Sequence, residues 1–311
     1  CLLSRGLGDV YKRQDIECSV AIIRNNNGYL FSQRLKKPFL NYFEFPGGKV
    51  ENNETPEECL IRECYEELDI KIKKTKYYGH IIHLYGELSV RLHIFDIIDF
   101  NGNIKSNEKQ NLKYIDYFRS SELFLESTSR VLNRITLKEL LFITPQKYTS
   151  FLKNVSYFKN NNSFIRLRSF DYTYSQYILA AKSISNLCNI TKTPLVIDKK
   201  YSEKLKDLDY NGIHYTSEDL NNIRMQQYIR KKGLTYSASC HNLDDILIAN
   251  QYNFDFILLS PVITSKYNYK THGWENFMRL VINANMPVFA LGGIKKNDLK
   301  ICKSNGGFGI S

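Results

Sequence analysis

Three glutamates that follow a Gly-Gly pair at fixed spacing are the residues of this chain best suited to chemistry. The pattern G-x5-E-x7-R-E-x-x-E-E begins at Gly48 and ends at Glu67. Glu63, Glu66 and Glu67 stand at i, i+3 and i+4 of a predicted helix, where like charges repel by roughly 0.2–0.5 kcal/mol per exposed pair. Mg²⁺ takes carboxylate oxygens and substrate phosphates together. The cluster therefore predicts a divalent-cation site that acts on a diphosphate.

The helix that carries these glutamates has a clear beginning in the sequence. Thr55 suits the N-cap, Pro56 the first helical position, and Glu58 completes a capping box three residues after the cap. Apolar residues recur at steps of four and predict its buried stripe: Leu60, Cys64 and Leu68. A merely solvated acidic face is the alternative, and the Gly-Gly pair together with the regularly spaced Glu54 disfavours it.

Together these residues resemble the Nudix box, G-x5-E-x7-R-E-U-x-E-E-x-G-U, in which U is an apolar residue. Its fixed positions are occupied by Gly48, Glu54, Arg62, Glu63, Glu66, Glu67 and, at the last apolar position, Ile70. Asp69 stands where the family has a glycine that ends the helix in a left-handed turn. Because Asp tolerates that conformation less well than Gly, we expect a modest stability cost and no loss of chemistry.

The segment before the box, FEFPGGK at 43–49, is similar to that of the MutT branch of the family. The substrate-binding residues that this resemblance implies are Arg34, Phe45, Gly47, Gly48, Lys49 and Thr128. Arg34 matches a phosphate-contacting arginine. Thr128 stands where the branch reads the oxidised base with an asparagine, and a hydroxyl offers fewer hydrogen-bonding groups than an amide. Selectivity for the base is therefore less firmly implied than hydrolysis.

The activity that the resemblance implies is hydrolysis of a nucleoside triphosphate, foremost 8-oxo-dGTP, to the monophosphate and pyrophosphate. This reaction clears the nucleotide pool and avoids mutation. Mg²⁺, or alternatively Mn²⁺, would be held by Glu63, Glu66, Glu67 and Glu108, of which Glu108 matches an additional metal-proximal glutamate of the MutT branch. Glu63 or Glu108 would polarise the attacking water, and Arg62 would orient the carboxylates through a bidentate pair.

Length and composition fit a cytoplasmic enzyme of two domains. The chain has 311 residues, 43% of them hydrophobic, and no run of ~18–20 apolar residues that could span a membrane. Its seven cysteines form no C-x-x-C pair, which favours a reducing compartment. The formal net charge of +11 is spread without a basic block, so we attribute it to attraction of anionic nucleotides and expect no sequence-specific nucleic-acid binding.

After about residue 137 apolar strands alternate with amphipathic helices, and eight strand candidates predict a (β/α)8 barrel. The predicted fold class is α/β: a Nudix α/β/α sandwich with a mixed sheet, followed by a TIM-type barrel that lacks its last helix. The expected domains are 15–137 for the hydrolase and 138–311 for a C-terminally truncated barrel. Residues 1–14 are expected to be an artefactual or disordered leader.

The barrel half resembles thiamine-phosphate synthase and its TenI relatives. The segments that carry this resemblance are 212–220, 237–245, 260–266 and 290–294. The residues that it implies for a site are Asp219 as a metal ligand, His241 as an acid or base, and Thr264, Gly292 and Gly293 around a phosphate.

Two departures from the synthase leave the role of the barrel open. No basic residue follows Arg168 where the synthase uses one to hold a pyrimidine diphosphate, and its Asn-Asp pair is Ile197-Asp198 here. A thiamine-type phosphate is the ligand that the resemblance suggests. The alternatives are a Nudix hydrolase of a thiamine-pathway diphosphate, or a Nudix enzyme with a non-catalytic, phosphate-binding regulatory barrel.

Overall fold

A computed structural model describes residues 14–153, 162–169, 172–205, 207–223, 228–264 and 270–311. The chain divides into two compact units, and the division falls between Thr128 and Ser129. The expected leader lies outside the described residues except for Gln14, as do Phe170 and Asp171 after the second barrel strand. None of the described helices has the length and hydrophobicity that crossing a bilayer requires.

The first unit combines a helix with two sheets. Its strands are β1 (Gln14–Ile22), β2 (Arg24–Asn25), β3 (Gly28–Gln33), β4 (Phe43–Glu44), β5 (Gly47–Lys49), β6 (Lys71–Tyr85), β7 (Leu88–Asn101) and β8 (Leu112–Ile115). One sheet has the order β5-β1-β7-β6, in which β1 is parallel to β7 and the other pairs are antiparallel. In the second sheet β3 pairs antiparallel with β2, β4 and β8. The mixed sheet predicted from the sequence is confirmed.

Helix α1 (Pro56–Leu68) begins and ends as its sequence predicts. Thr55 and Glu58 form the reciprocal capping box, and Pro56 is the first helical residue. The helix ends at Asp69, which adopts the left-handed conformation with φ 58° and ψ 33°. The apolar stripe packs into the core of the unit with residues of the strands: Ala21, Ile23, Leu30, Leu60, Cys64, Leu68, Ile70, Phe95 and Ile97. Burial of that stripe places the neighbouring Glu63 and Glu67 against the β5 turn.

The second unit is a closed barrel of parallel strands. In spatial order these are β10 (Ser163–Leu167), β11 (Leu195–Asp198), β12 (Gly212–Tyr215), β13 (Thr235–Cys240), β14 (Phe256–Leu259), β15 (Val288–Ala290), β16 (Gly309–Ile310) and β9 (Leu140–Ile143). The helices are α2 (Glu126–Thr136), which contains the division between the units, α3 (Tyr148–Lys153), α4 (Tyr174–Thr191), α5 (Lys199–Ser202), α6 (Ser217–Asn221), α7 (Leu243–Gln251), α8 (Gly273–Val281) and α9 (Leu299–Ser304). The predicted parallel barrel is confirmed.

The interior of the barrel changes character along its axis. One layer is apolar and consists of Leu141, Phe164, Val196, Phe256, Leu258 and Phe289. Two residues further along their strands, Arg166 and Asp198 point to the same inner face as Phe164 and Val196. These charged residues lie towards the C-terminal ends of the strands, which is the end where barrel enzymes form their sites.

Candidate active site

The Gly-Gly pair lets two other groups approach the backbone of β5 closely. A Cβ on Gly47, whose φ is +134°, would lie 2.1 Å from the carbonyl oxygen of Ser19 on β1. A Cβ on Gly48 would lie 2.1 Å from Oε1 of Glu63. Gly47 is therefore required by the backbone, whereas Gly48 makes room for a carboxylate of α1.

Arg62 lies at the centre of three carboxylates. Its Nε and Nη2 donate to the two oxygens of Glu54 at 3.1 and 2.7 Å. Its Nη1 donates to Oε1 of Glu63 at 2.9 Å and to Oε2 of Glu66 at 3.1 Å. The hydrogen bonds from Arg62 lower the pKa of Glu54 to about 2. Arg62 thus makes the bidentate pair that was expected of it, with Glu54 as the partner, and its single positive charge orients three negative ones.

Glu67 is the buried carboxylate of the cluster, with 8% of its surface exposed. Its Oε2 accepts from the backbone N–H of Gly47 at 3.1 Å, and its Oε1 accepts from Nε2 of Gln110 at 3.1 Å. Burial raises the pKa of Glu67 to about 7, and the charges of Glu63 and Glu108 raise it too. Burial likewise raises the pKa of Glu63. The site therefore gathers more negative charge than its own cations neutralise.

Glu108 reaches the cluster through the segment that follows β7. The N–H of Asn107 donates to the carbonyl oxygen of Glu67 at 3.0 Å, which ties this segment to the end of α1. Nε2 of Gln110 donates to Oε2 of Glu108 at 3.0 Å as well as to Glu67. Gln110 thus joins two glutamates that are far apart in sequence. Nothing in the spacing of the motif identifies it, because the contact depends on how the segment folds back.

The donor set suits a hard divalent cation. Its four carboxylates, Glu63, Glu66, Glu67 and Glu108, offer the oxygen ligands that Mg²⁺ and Mn²⁺ prefer. Mutual repulsion contributes to the raised pKa values of Glu63 and Glu67, and a cation would relieve it. Within the described ranges, no three acidic, His or Cys side chains are already arranged to hold a metal ion. Side chains would therefore have to rotate away from Arg62 and Gln110 before these carboxylates could hold a metal.

Arg34, expected to contact phosphate, is held by Glu44. Its Nη1 donates to both carboxylate oxygens, at 2.7 and 2.8 Å. Its Nε is buried and has no hydrogen-bond acceptor in the part of the chain that the structure describes. Glu44 was not among the sequence-derived candidates, and its signal was its position between Phe43 and Phe45 in the segment before the box. The pair orients Arg34 rather than leaving it a mobile surface charge.

The remaining substrate-binding candidates of the first unit have different surroundings. Phe45 is 6% exposed and packs on Phe31, with ring centroids 4.7 Å apart. Lys49 is exposed, and its carbonyl oxygen accepts from Nη2 of Arg62 at 3.2 Å. Thr128 is 3% exposed in the first turn of α2. The structure therefore brings the Gly-Gly pair and the glutamates together, while Phe45 and Thr128 lie in packed surroundings.

In the second unit, Asp219 and His241 both lie just beyond the C-terminal ends of strands. Asp219 caps α6: its Oδ2 accepts from the backbone N–H and the hydroxyl of Thr216 at 2.9 and 2.7 Å. Nδ1 of His241 lies 2.7 Å from the carbonyl oxygen of Ser260. Because a carbonyl only accepts, Nδ1 carries a proton there, so in the neutral form of the ring Nε2 has the lone pair. His241 thus has the tautomer that an acid–base role at Nε2 requires.

The turn after β15 packs against the loop after β14. A Cβ on Gly293 would lie 2.4 Å from Oγ1 of Thr264, and the N–H of Thr264 donates to the carbonyl oxygen of Gly292 at 3.1 Å. This close packing is itself a reason for both glycines. The backbone N–H groups of Gly292, Gly293 and Ile294 find no acceptor among the described residues. Three adjacent free N–H groups can bind an anion.

Comparison with known proteins identifies the two halves. The NUDIX domain model matches residues 16–140, and the TMP-TENI model, described as thiamine monophosphate synthase, matches residues 140–311. An 8-oxo-dGTP diphosphatase of Buchnera aphidicola subsp. Schizaphis graminum is 37% identical over 94 residues, which are 30% of this chain and 71% of that protein. The CTP pyrophosphohydrolase of Escherichia coli is 34% identical over 99 residues, which are 31% of this chain and 73% of that enzyme.

For the barrel, a thiamine-phosphate synthase of Prochlorococcus marinus is 30% identical over 136 residues, which are 43% of this chain and 38% of that protein. This chain therefore spans less than half the length of that relative. The glutamate cluster on α1 and the parallel barrel agree with the two family models. The chain belongs to the Nudix hydrolase family through residues 16–140 and to the thiamine monophosphate synthase and TenI family through residues 140–311.

Proposed function

We propose that the first unit hydrolyses nucleoside triphosphates to the monophosphate and pyrophosphate, with 8-oxo-dGTP as the preferred substrate. The observation that carries this proposal is the convergence of Glu63, Glu66, Glu67 and Glu108 beside the Gly-Gly turn of β5. Phosphoanhydride hydrolysis depends mainly on positioning and charge neutralisation, which such a cluster can provide when it holds cations. The 8-oxo-dGTP diphosphatase relative supports the choice of substrate.

Mg²⁺, with Mn²⁺ as the alternative, would be held by these four glutamates. When bound, the metal neutralises phosphate charge and lowers the pKa of a bound water. Glu63 or Glu108 accepts the proton of the attacking water. Arg62 keeps the carboxylates of Glu63 and Glu66 in place, since its Nη1 donates to both. Arg34, oriented by Glu44, contacts a phosphate oxygen of the substrate.

Two features leave room for a second nucleotide. Thr128 stands where an asparagine would read the oxidised base, and it is 3% exposed. The relative that acts on CTP is 34% identical, close to the 37% of the 8-oxo-dGTP diphosphatase. CTP is therefore the second candidate substrate. A thiamine-pathway diphosphate is the third, because the hydrolase is fused to a barrel of the thiamine monophosphate synthase family.

A substrate panel on the full chain tests this proposal. Purified protein is given 8-oxo-dGTP, dGTP, CTP or thiamine diphosphate with Mg²⁺ or with excess EDTA, and nucleotide and pyrophosphate products are quantified. We expect 8-oxo-dGTP turnover to exceed dGTP turnover by at least about tenfold. A site that hydrogen-bonds the oxidised base leaves buried polar groups unpaired when it holds the unoxidised one. EDTA should abolish the turnover. Equal rates for the two guanine nucleotides would remove the sanitising role.

We propose that the second unit binds a thiamine-type phosphate. The free backbone N–H groups of the Gly292–Gly293 turn support a phosphate subsite, with Thr264 in the adjacent loop. His241 faces the same end of the barrel with Nε2 able to accept a proton. Calorimetry with thiamine monophosphate tests binding, and nucleotide hydrolysis rates measured with and without that ligand test whether the barrel regulates the hydrolase.

A further inference from the structure

A buried ion pair occupies the polar layer inside the second barrel. The side chains of Arg166 and Asp198 are 5% and 2% exposed. Nε and Nη2 of Arg166 donate to Oδ1 of Asp198 at 3.3 and 3.1 Å. The backbone N–H of Ser169 donates to Oδ2 at 2.8 Å. Both oxygens of the carboxylate are therefore already used, and its charge is matched by one fixed cation.

The acids at this end of the barrel do not fit a divalent metal. Asp198 is fully engaged, and Oδ2 of Asp219 accepts two hydrogen bonds from Thr216 in the cap of α6. A metal at Asp198 would have to displace Arg166, which would leave a guanidinium buried without a partner. The residues thus disagree with the metal that the family resemblance implies.

Arg166 also has a hydrogen-bond donor, Nη1, that the ion pair does not use. Its Nη1 makes no hydrogen bond within the ranges that the structure describes, although the whole residue is only 4% exposed. His214 is the next inward-pointing residue around the barrel, and burial lowers its pKa well below the usual value. The hydroxyls of Ser237 and Ser239 both lie 2.9 Å from its ring nitrogens. Among the described residues at the base of this site, Arg166 therefore presents a guanidinium donor, and the charge of Asp198 is already compensated by it.

We propose that Arg166 takes the place of a divalent cation in the second unit, so that this barrel binds a phosphate ester without metal and performs no metal-dependent diphosphate transfer. The phosphate binds at the free N–H groups of the turn after β15. Nη1 of Arg166 donates a hydrogen bond to the remaining polar part of the ligand. This inference rests on the phosphate binding proposed for the second unit and not on the function proposed for the first.

Calorimetry on the full chain with thiamine monophosphate as the probe tests the proposal. The dissociation constant is measured in excess EDTA and in Mg²⁺, and we expect the two values to agree within about twofold. Arg166→Gln should weaken binding in EDTA at least about tenfold, since a charged donor is lost. In that variant Asp198 is freed, so Mn²⁺ should raise its melting temperature more than it raises that of the parent chain.

The double variant Arg166→Gln, Asp198→Asn is the matched control. It keeps two side chains that can hydrogen-bond to each other and removes both charges, so it should fold and should lose the additional Mn²⁺ response. Nucleotide hydrolysis by the first unit is measured on each preparation. An unchanged rate shows that the first unit is folded, so that a loss of probe binding can be assigned to the barrel. Binding that needs Mg²⁺ in the parent chain, or equal affinity in Arg166→Gln, would overturn this inference alone. No binding of the probe would overturn it together with the phosphate binding proposed for the second unit.

Discussion

Gly48 lies against the carboxylate of Glu63, and its missing side chain has a direct consequence for activity. In Gly48→Ala the new Cβ would lie 2.1 Å from Oε1 of Glu63 as it now stands, so the carboxylate must move. We expect kcat/KM for 8-oxo-dGTP to fall at least about tenfold, because small displacements of catalytic groups are costly. Thermal unfolding should change little, since alanine accepts the backbone conformation of this strand. A variant with the activity of the parent chain would show that Glu63 does not act from this position.

Glu63→Gln tests the role of the same carboxylate without changing its size. A neutral amide can neither hold Mg²⁺ well nor accept the proton of the attacking water. We therefore expect kcat to fall by at least about two orders of magnitude. Glu57→Gln is the matched control on the same helix, because among the described residues Glu57 accepts a side-chain hydrogen bond from the hydroxyl of Thr75 alone, away from Arg62. Steady-state rates with Mg²⁺ check both variants, and a comparable loss in Glu57→Gln would point to a general effect of charge on α1.

At the scale of single residues, the sequence predicted what local spacing determines. The capping box of Thr55 and Glu58 and the left-handed Asp69 follow from neighbours on one helix, and both are confirmed. Gln110 could not be predicted, because it meets Glu67 only after the intervening strands β6 and β7 have paired. The pairing of Arg34 with Glu44 was missed for a similar reason, since it depends on the register of β3 against β4.

At the scale of elements, the left-handed conformation of Asp69 at the end of α1 allows the expected stability cost to be tested. Its φ of 58° is a conformation in which L side chains are strained, and its ion pair with Lys105 is long, at 3.8 Å, and exposed. Asp69→Gly should raise the free energy of unfolding by about 0.5–1 kcal/mol. Asp69→Ala should lower the free energy of unfolding, because alanine adopts the left-handed conformation less readily than aspartate. Chemical denaturation checks both, and the opposite order would mean that the Asp side chain stabilises the turn.

In the barrel, Tyr177 ties α4 to two neighbouring strands. Its hydroxyl donates to the carbonyl oxygen of Leu167 at 3.1 Å and accepts from the N–H of Asp198 at 2.9 Å. Tyr177→Phe should therefore lower the free energy of unfolding by about 1–3 kcal/mol, since two buried groups lose a partner. Tyr174→Phe, at a position 45% exposed on the same helix, is the control and should be neutral in denaturant titrations. Equal free energies of unfolding for both variants would contradict a stabilising role of these two hydrogen bonds.

The element pattern of the barrel was predictable, whereas the contents of its interior were not. Strands of four to six residues bounded by turn residues and helices identify a parallel barrel from sequence alone. Every residue of β10 is buried, so burial does not separate its inner face from its outer one. Only the closed geometry shows that Arg166 points inward to Asp198 rather than outward to a helix.

For the whole molecule, the net charge of +11 is unevenly divided. Residues 1–128 contain 18 Lys and Arg and 19 Asp and Glu, whereas residues 129–311 contain 25 and 13. The excess therefore belongs almost entirely to the second unit. The sequence-based interpretation that this charge attracts nucleotides to the hydrolase does not suit this distribution. An anionic ligand of the barrel suits it better, because the excess positive charge belongs to the unit that would bind it.

This distribution predicts different salt dependence for the two halves. Between low and high NaCl, affinity for thiamine monophosphate should fall by about threefold or more, because the +12 unit attracts the phosphate through a field that salt screens. Over the same range, kcat/KM for 8-oxo-dGTP at saturating Mg²⁺ should change by less than about twofold, since the first unit is nearly neutral. Potassium glutamate in place of NaCl controls for binding of chloride. If kcat/KM of the hydrolase depended more strongly on salt than the ligand affinity of the barrel, charge close to the hydrolase site would govern attraction of the nucleotide, rather than the net charge of the first unit.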